Sequence, residues 1–495
     1  MGEDKRGNVT EENLRNALNS LVGNGNIEVE NLDDIFEVAF INSKRYYEVD
    51  KDGNVSDYKK IVYDKDAGDI TKGGTLDGTE EKPYQINCIE DLVEFSIMTN
   101  GGNTELGISP SYLQNKYIIL VRTLDFKSKY SYSDSSTKKY GDLNKDGTIE
   151  DIRTELTKTE EGCIGFTGMG HFEGTFDGKE NVIRNIYQNV SDGKSTGLFK
   201  EAYKEIKNLS VSGIIINTKW HAAGICAGGS NLKITNCKNY ANVTGYNMVG
   251  GISAYSVSKF TISNCNNYGT INMTGNAWQY SGAGGIIGYI SQESVIQNCV
   301  NEGAVIGNYT RAGIIGSSYS VNIINCINKG KTASGIIGWA CETISIINCY
   351  NIGECTNGIV GSFGGASWNS TLILNIKNCY NLGKVTNSGI VGEQGNMCKS
   401  TTLNIENCYN SGTSDKAILG KISKDSRTTT ITNISNTYYN INKSQTVGAI
   451  SEGITSMQDK EMKNSETFVG ILNNNIGDNV RMETLENWRK WISNI

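Results

Sequence analysis

A run of oxygen-bearing side chains in the first third of the chain has the spacing of a cation-binding loop. It reads DLNKDGTIE, with oxygen donors at its first, third and fifth positions and a glycine at its sixth. Alternating oxygen ligands before such a glycine suit a hard cation such as Ca²⁺. The candidate metal ligands are Asp142, Asn144, Asp146, Thr148 and Glu150.

Calcium is therefore a candidate cofactor, although the loop is incomplete. The twelfth position of a calcium loop is a bidentate Glu, and here it is Arg153. Glu150 or Asp151 could replace that ligand; the alternative is a metal-free turn rich in Asp, Asn and Gly. A second acidic stretch, residues 50–54, is shorter and is better interpreted as a hairpin turn.

The chain has 2 histidines, His171 and His221, which excludes an H-E-x-x-H zinc site. His221 follows Trp220, and this pair either lines a groove or is an ordinary satisfied surface pair. Three further tryptophans are predicted between strands, where aromatic rings either stack on sugars or anchor loops. They are Trp278, Trp339 and Trp368.

Polysaccharide cleavage requires carboxylates or bases that meet on one face of the protein. The acidic residues in the central part of the chain do not recur at matched positions, and we assign no catalytic residue. They are Glu293, Glu302, Glu342, Glu354, Glu393 and Glu406.

The element that must position these residues is a repeat centred on cysteine. The motif I-x-N-C-x-N-x-G recurs from ITNCKNYANV to IENCYNSGT, with its cysteines 28, 34, 27, 23, 30 and 29 residues apart. A fixed motif at variable spacing indicates a solenoid whose loops absorb the differences in length. The cysteines are Cys237, Cys265, Cys299, Cys326, Cys349, Cys379 and Cys408.

Backbone geometry explains why Ile and Cys are three residues apart. Strand side chains alternate, so Ile234 and Cys237 would face opposite sides unless a residue between them broke the alternation. Asn236 is the natural corner, because Asn tolerates the left-handed conformation. Ile and Cys then both face inward, and the second asparagine, Asn239 in this repeat, can form hydrogen bonds along the stack.

Each repeat has a second signature, a short apolar strand between glycines such as GIIG or GIVG. Coils of short strands stacked about 4.8 Å apart form parallel sheets. We therefore predict an all-β fold, a right-handed parallel β-helix, since crossovers are almost always right-handed. The cysteine row either binds metal or does redox chemistry, or it is a buried small residue once per coil, which the lack of C-x-x-C favours.

The pattern changes along the chain and predicts four segments. Residues 1–65 form a small α+β module. Residues 66–200 form an N-terminal cap and the first coils, with a helix at residues 89–95. Residues 201–445 form the repeat coils, and residues 446–495 form a partly helical C-terminal cap.

Composition limits the classes of partner. The formal net charge of −7 argues against nucleic acid. The longest apolar run, residues 117–121, is too short to span a bilayer, and we expect no membrane span. Met1 and Gly2 precede a polar start, which is typical of a recombinant product, so we expect a native export or anchoring segment to be missing.

The repeats resemble those of GLUG-motif β-helix proteins of bacterial surfaces. The likeness rests on Gly197-Leu198-Phe199, the GIIG and GIVG segments, the N-C-x-N-x-G motif and the lead-ins KPYQI and FEGTFDG, and it extends over residues 75–440. Residues 1–65 resemble the soluble part of pilin-like proteins of Gram-positive anaerobes. GLUG repeats also occur beside IgA-protease domains, but this chain has no protease motif.

The resemblance implies an exported, extracellular protein of the cell surface, an adhesin or a minor pilus component. We expect a non-enzymatic protein that binds host or neighbouring-cell ligands, with glycans as candidates, and that associates with pilus or filament subunits. The alternative is a polysaccharide lyase or hydrolase on a β-helix scaffold. A groove with three or more charged side chains favours the enzyme, and a smooth, polar, uncharged face favours adhesion.

Overall fold

The computed structural model describes residues 69–102, 108–126, 166–275, 281–365, 367, 369–395, 398–423 and 425–474, and short parallel strands make up about half of them. This confirms an all-β, β-helix-like fold. Two compact units are described separately: Met1–Ser191 with Thr196–Ile216, and Asp192–Ser195 with Asn217–Ile495. The predicted module at residues 1–65 and the predicted calcium loop at residues 142–150 lie outside the described residues.

Among the described residues of the first unit, parallel strands pack against one helix. Helix α1, Ile89–Thr99, confirms the helix predicted at residues 89–95. Its Phe95 ring lies 5.4, 6.1 and 6.3 Å from the rings of Phe172, Phe176 and Phe199. The strands are β1 (Tyr84–Ile86), β2 (Tyr117–Leu120), β3 (Leu124–Asp125), β4 (Met169–Phe172), β5 (Thr175–Asp177), β6 (Val182–Val190), β7 (Phe199–Ala202), β8 (Glu205–Lys207) and β9 (Ser210–Asn217).

The second unit repeats one course of the chain, in which successive coils pair in register along several columns of strands. The first column follows the glycine signature and comprises β11 (Cys226–Gly229), β16 (Ser253–Ser256), β21 (Ile287–Ile290), the start of β26 (Ile315–Ile324) and of β28 (Ile337–Ile347), β31 (Val360–Phe363), β35 (Val391–Gln394) and the end of β38 (Ser414–Lys421). The second column precedes the cysteine and comprises β12 (Lys233–Thr235), β17 (Thr261–Ser263), β22 (Ser294–Gln297), the ends of β26 and β28, β32 (Thr371–Lys377), β36 (Ser400–Glu406) and β39 (Thr429–Ser435).

Three further columns complete the coils of this unit. The third column follows the cysteine and comprises β13 (Lys238–Asn239), β18 (Asn266–Asn267), β23 (Val300–Asn301), β27 (Ile327–Asn328), β29 (Tyr350–Asn351), β33 (Tyr380–Asn381), β37 (Tyr409–Asn410), β40 (Thr437–Asn440) and β42 (Ile454–Met457). The fourth column comprises β14 (Asn242–Gly245), β19 (Ile271–Met273) and β24 (Val305–Gly307), and then β30 (Cys355–Asn357), β34 (Val385–Ser388), the start of β38 and β41 (Ser444–Gly448). The fifth column comprises β10 (Ala222–Ala223), β15 (Val249–Gly250), β20 (Ala283–Gly284) and β25 (Arg311–Ala312).

The predicted asparagine corner is confirmed in every coil of the repeat. The asparagine before each cysteine has a φ between 51° and 59°, which is the left-handed conformation. Each cysteine side chain is fully buried, and the Ile three residues earlier is buried beside it. The corner residues are Asn236, Asn264, Asn298, Asn325, Asn348, Asn378 and Asn407.

The second asparagine of each motif forms a continuous ladder in the interior. From Asn239 to Asn381, each side-chain Nδ2 donates to the Oδ1 of the asparagine one coil further along, over 2.7 or 2.8 Å, and the last member, Asn410, donates to Ser414 and Ser444. The ladder leaves no space beside it: a Cβ on Gly313 would lie 2.2 Å from Oδ1 of Asn328. The ladder comprises Asn239, Asn267, Asn301, Asn328, Asn351, Asn381 and Asn410.

Two helices follow the last strand, α2 (Asp459–Met462) and α3 (Ser465–Asn474). The Phe468 ring of α3 packs edge-on against Tyr409 at 5.3 Å and Tyr438 at 5.6 Å. Nδ2 of Asn407 donates to the backbone carbonyl of Leu472 over 2.9 Å. Helix α3 therefore covers the tyrosines that point outward from the third column.

Candidate functional site

The cysteine row is a set of buried thiols bonded to the backbone. The thiols of Cys265 and Cys299 each donate to the carbonyl two residues earlier, at 3.2 Å. Burial raises the pKa of the Cys265, Cys326 and Cys349 thiols well above their ordinary value, which disfavours the reactive thiolate. In the part of the chain that the structure describes, no group of three or more His, Cys, Asp or Glu could hold a metal ion. This arrangement fits a structural role for the row.

An aromatic strip follows the outer face of the first column. Tyr255 pairs in register with Tyr289, Tyr289 with Ser317, and Ser317 with Trp339. The three side chains are half-buried, and the strands that carry them are separated by one and then two coil steps of about 4.8 Å each. We call Tyr255, Tyr289 and Trp339 the aromatic strip.

Glycines and small residues make room for the strip. A Cβ on Gly228 would lie 2.3 Å from the Tyr255 ring, and one on Gly395 would lie 2.9 Å from the Trp339 ring. Trp339 also donates from Nε1 to Sγ of Cys341 over 2.9 Å. The rings are thus held against the sheet by packing.

A turn at Asn217 presents Trp220 and His221 beside one end of the strip. Oδ1 of Asn217 accepts from the backbone N–H of Lys219 over 3.1 Å and of Trp220 over 2.8 Å, which is an Asx-type turn. Its Nδ2 donates to the carbonyl of His221 over 3.1 Å. The His221 ring lies 4.6 Å from the Trp220 ring and 4.9 Å from the Tyr255 ring.

His221 is a neutral imidazole at physiological pH. Burial lowers its pKa to about 4, because the surrounding rings replace the water that would solvate a cation. Nδ1 accepts a hydrogen bond from the backbone N–H of Met248 over 3.4 Å, so the proton lies on Nε2. Nε2 has no hydrogen-bond partner among the described residues, and the side chain is only 7% exposed. Trp220 by contrast is 42% exposed.

The sequence located part of this site and missed the rest. Trp339 lies within strand β28, so its predicted place between strands is wrong; Trp278 and Trp368 lie outside the described residues. Tyr255 and Tyr289 were not anticipated, yet a signal exists. GISAY, GIIGY and GIIGW each end their glycine signature in an aromatic residue at the fifth position. Because the coils pair in register, residues at this fifth position lie on the same face and form the strip.

A separate cluster of titratable side chains lies in the first unit. Nε2 of His171 is 2.7 Å from Oε1 of Glu173, and Nδ1 is 3.7 Å from Oε2 of Glu201. The Tyr203 hydroxyl donates to Oε2 of Glu201 over 2.8 Å, and its ring stacks on His171 at 4.4 Å. The ring of Tyr112 lies 4.5 Å away on the imidazole. All three titratable side chains are partly exposed, which acid–base chemistry with an external substrate would require.

Asp177, one of the buried carboxylates of the same unit, is held by hydrogen bonds to neighbouring strands and turns. Burial alone would raise its pKa, but hydrogen bonds from Asn208, from the backbone N–H of Lys179 and from Tyr117 outweigh burial and hold the pKa below the ordinary value. Such a carboxylate stays ionised and is a poor general acid.

Three of the six acidic residues singled out in the repeats form ion pairs between neighbouring coils. Glu302 pairs with Lys329 at 2.9 Å, Glu354 with Lys331 at 3.3 Å and Glu406 with Lys377 at 3.1 Å. These exposed pairs are worth little in stability and bring no carboxylates together.

The outer face of the second column has few charges where β32, β36 and β39 pair, and it combines amide and hydroxyl side chains with the exposed Ile373 and Ile431. Nδ2 of Asn433 donates to Oδ1 of Asn404 over 2.8 Å, and Asn404 donates likewise to Asn375 over 2.6 Å. Hydroxyl side chains line the same face, and the Glu406–Lys377 pair is at one edge. The hydroxyl residues are Thr371, Ser400, Thr402 and Thr429.

These features define a solenoid of parallel coils with an aromatic strip on one face. No family model matches the chain, and no curated protein matches it. Among solved structures, the chain is similar to a crystal structure from Bacteroides ovatus described as a "putative immunoglobulin A1 protease", at 14% identity and a TM-score of 0.33. That match covers 80% of this chain and 88% of the other. Within the described residues, no helix combines the length and apolar character that crossing a membrane requires.

Proposed function

We propose that this chain is an exported cell-surface β-helix protein that acts as an adhesin or as a pilus- or filament-associated component, and that it binds glycans. The observation that carries the proposal is the aromatic strip. Pyranose rings present a flat C–H face that packs against aromatic rings, and Tyr and Trp add a polar edge for hydroxyl groups. Aromatic side chains at one register position of successive coils suit an extended ligand with its own repeat.

The polar face of the second column supports adhesion over catalysis in the second unit. Its ladder of amides and its hydroxyl rows, interrupted by Ile373 and Ile431, form a surface with few charges, which suits a displayed scaffold. Ion pairs between coils place lysines beside Glu302, Glu354 and Glu406, and the described residues of the repeats contain no cluster of three acidic side chains.

The finer architecture belongs to the same proposal. We infer a right-handed winding, membership among GLUG-motif proteins, a pilin-like module at residues 1–65 and a C-terminal cap at residues 446–495. The contact of α3 with Tyr409 and Tyr438 supports the cap, because it shields apolar rings from water. The boundaries at residues 65, 200 and 445 stay predictions, as does the expected association with host or cell-surface ligands and filament subunits.

A glycan array probed with the whole chain, with and without calcium, tests the proposal. We expect binding to extended glycans, and we expect Tyr289→Ala and Trp339→Ala to reduce it at least tenfold. Tyr240→Ala is the matched control, because Tyr240 is an exposed ring on the third column of the same unit. An array without any bound glycan, or equal loss in the control, would contradict the proposal.

Calcium binding by Asp142, Asn144, Asp146, Thr148 and Glu150 remains a separate proposal. Oxygen donors of this kind and spacing suit Ca²⁺, which would order the loop by neutralising its carboxylates. Calorimetric titration with Ca²⁺ should show one site that is lost in Asp146→Ala. Unchanged heats in that variant would exclude the loop as the site.

The second candidate function is a polysaccharide lyase or hydrolase, and the His171 cluster favours it. His171, Glu173 and Glu201 bring two carboxylates and a base to one partly exposed place, flanked by the rings of Tyr112 and Tyr203. Such a set can donate and accept protons during glycosidic cleavage. Release of reducing ends from polysaccharides, lost in Glu173→Gln and in Glu201→Gln, would establish this function and displace the first proposal.

A further inference from the structure

A nearly buried imidazole nitrogen without a partner stands at one end of the aromatic strip. Asn217 fixes the turn that carries Trp220 and His221, and the backbone N–H of Tyr246 donates to the Trp220 carbonyl over 2.9 Å. The position of both side chains is therefore set by the backbone. The Trp220 ring is left open to solvent beside a hydrogen-bond donor.

We propose that Trp220, His221 and Tyr255 form a subsite for one residue of a neutral carbohydrate, at which the bound chain is anchored before it runs along Tyr289 and Trp339. The inference rests on the proposed glycan binding and assigns its polar contact. The exposed Trp220 ring supplies the stacking face. Nε2–H of His221 supplies a donor to a sugar hydroxyl, satisfying a polar group that is otherwise unpaired among the described residues.

The chemistry of the subsite selects for neutral over anionic sugars. The His221 side chain is mostly buried, so its Nε2–H is poorly solvated, and a sugar hydroxyl that accepts from it competes with little water. The imidazole is uncharged, as its low pKa and its contact with two aromatic rings require. A uronate placed there would lose its hydration without gaining a cation.

The line of the strip selects for an extended chain. The strands that carry Tyr255 and Tyr289 lie one coil step apart, about 4.8 Å, which is comparable with the length of one pyranose unit. Trp339 follows two steps further along the same outer face. A β-linked glycan that keeps its sugar rings nearly coplanar can contact the aromatic side chains of the strip one after another. A glycan that coils would turn away from the strip.

Calorimetric titration with cellohexaose and chitohexaose, and with hexagalacturonate as the anionic probe, tests the subsite. We expect Trp220→Ala to weaken binding of a neutral hexasaccharide at least tenfold and His221→Phe to weaken it about fivefold. Trp220→Phe should recover most of the affinity because it restores a stacking face. Tyr240→Ala, the matched exposed ring, should bind within twofold of the unmodified chain.

The outcomes separate the subsite from the proposed function. Trp220→Ala and His221→Phe that bind like the unmodified chain, while Tyr289→Ala binds weakly, would overturn the subsite and leave glycan binding intact. No binding of either neutral probe by the unmodified chain would overturn both. Tighter binding of hexagalacturonate would overturn the preference for neutral sugars. If His221→Phe does not fold, Trp220→Ala decides, because its exposed side chain can be removed without opening the core.

Discussion

At the scale of single residues, asparagine has three distinct roles in this protein. It turns the chain at the corner before each cysteine, it forms the buried ladder inside the coils, and it lines the polar outer face of the second column. Within the ladder, each side-chain amide between the first and last members is hydrogen-bonded to the asparagines of the coils before and after it. Loss of one asparagine therefore leaves several hydrogen-bonding groups without a partner. The ladder is therefore a buried polar network that is stable only when complete.

Asn301→Ala should reduce the free energy of unfolding by about 2–4 kcal/mol, because it leaves buried partners unsatisfied. Nδ2 of Asn301 donates to the carbonyl of Gly303 and to Oδ1 of Asn328, and its own Oδ1 accepts from Asn267. Urea unfolding followed by circular dichroism measures the loss. The matched control is Asn433→Ala on the exposed outer ladder, which should change stability by less than about 0.5 kcal/mol. Equal effects would show that the buried ladder carries no special stability.

His221 should make stability depend on pH between 6.5 and about 4. The folded state lowers its pKa from 6.5 to about 4, so below pH 6.5 the unfolded chain binds the proton more readily than the folded one. Stability is complete above pH 6.5 and falls by about 3 kcal/mol as the pH drops to 4. The difference in urea midpoint between the unmodified chain and His221→Phe, followed over this range, isolates the effect. A constant difference would contradict the buried neutral imidazole.

At the scale of elements, the corner explains how much of the coil could be predicted. Ile and Cys three residues apart can both face inward only if one residue between them breaks the alternation of the strand. The asparagine can do so at a low cost in free energy because it tolerates the left-handed conformation. That reasoning holds in every repeat, so the strands on either side and their buried faces followed from the sequence. The outward positions have no such constraint. Tyr255 and Trp339 became one strip only when the register of neighbouring coils placed them in line.

Replacement of the corner Asn325 by Ala should cost more stability than its replacement by Gly. Both variants lose the side-chain hydrogen bonds to Asn298 and Asn348, at 3.1 Å each, so these cancel in the comparison. The remaining difference is the φ of 53°, which costs an alanine about 1 kcal/mol more than a glycine. Thermal melting of the two variants measures it. A more stable alanine variant would mean that the corner relaxes out of the left-handed region.

At the scale of the whole molecule, the residue types inside the coils are constant, and those on the outside vary. Isoleucine, cysteine and asparagine repeat at matched interior positions, whereas loops and outer faces differ from coil to coil. The metal hypothesis and the enzyme hypothesis both concern that exterior, where one sequence offers no internal repetition to compare. The His171 cluster is an example: its members come from β4, β7 and the turn after β4, and their approach depends on the pairing of β4 with β7.

The interior cysteines should make the native protein nearly unreactive toward thiol reagents, although the chain contains 13 cysteines. No two of the described cysteines are joined in a disulfide, and all of them except Cys88 are buried. A thiolate must form and be reached before it reacts, and burial opposes both steps. Ellman's reagent should label at most 2 thiols quickly in the folded protein, Cys88 and Cys163, the latter outside the described residues, and all 13 in guanidinium. Reductant should leave the melting temperature unchanged. Rapid labelling of further thiols in the native state would show that the coils open readily. A lower melting temperature in reductant would show that disulfides contribute to stability.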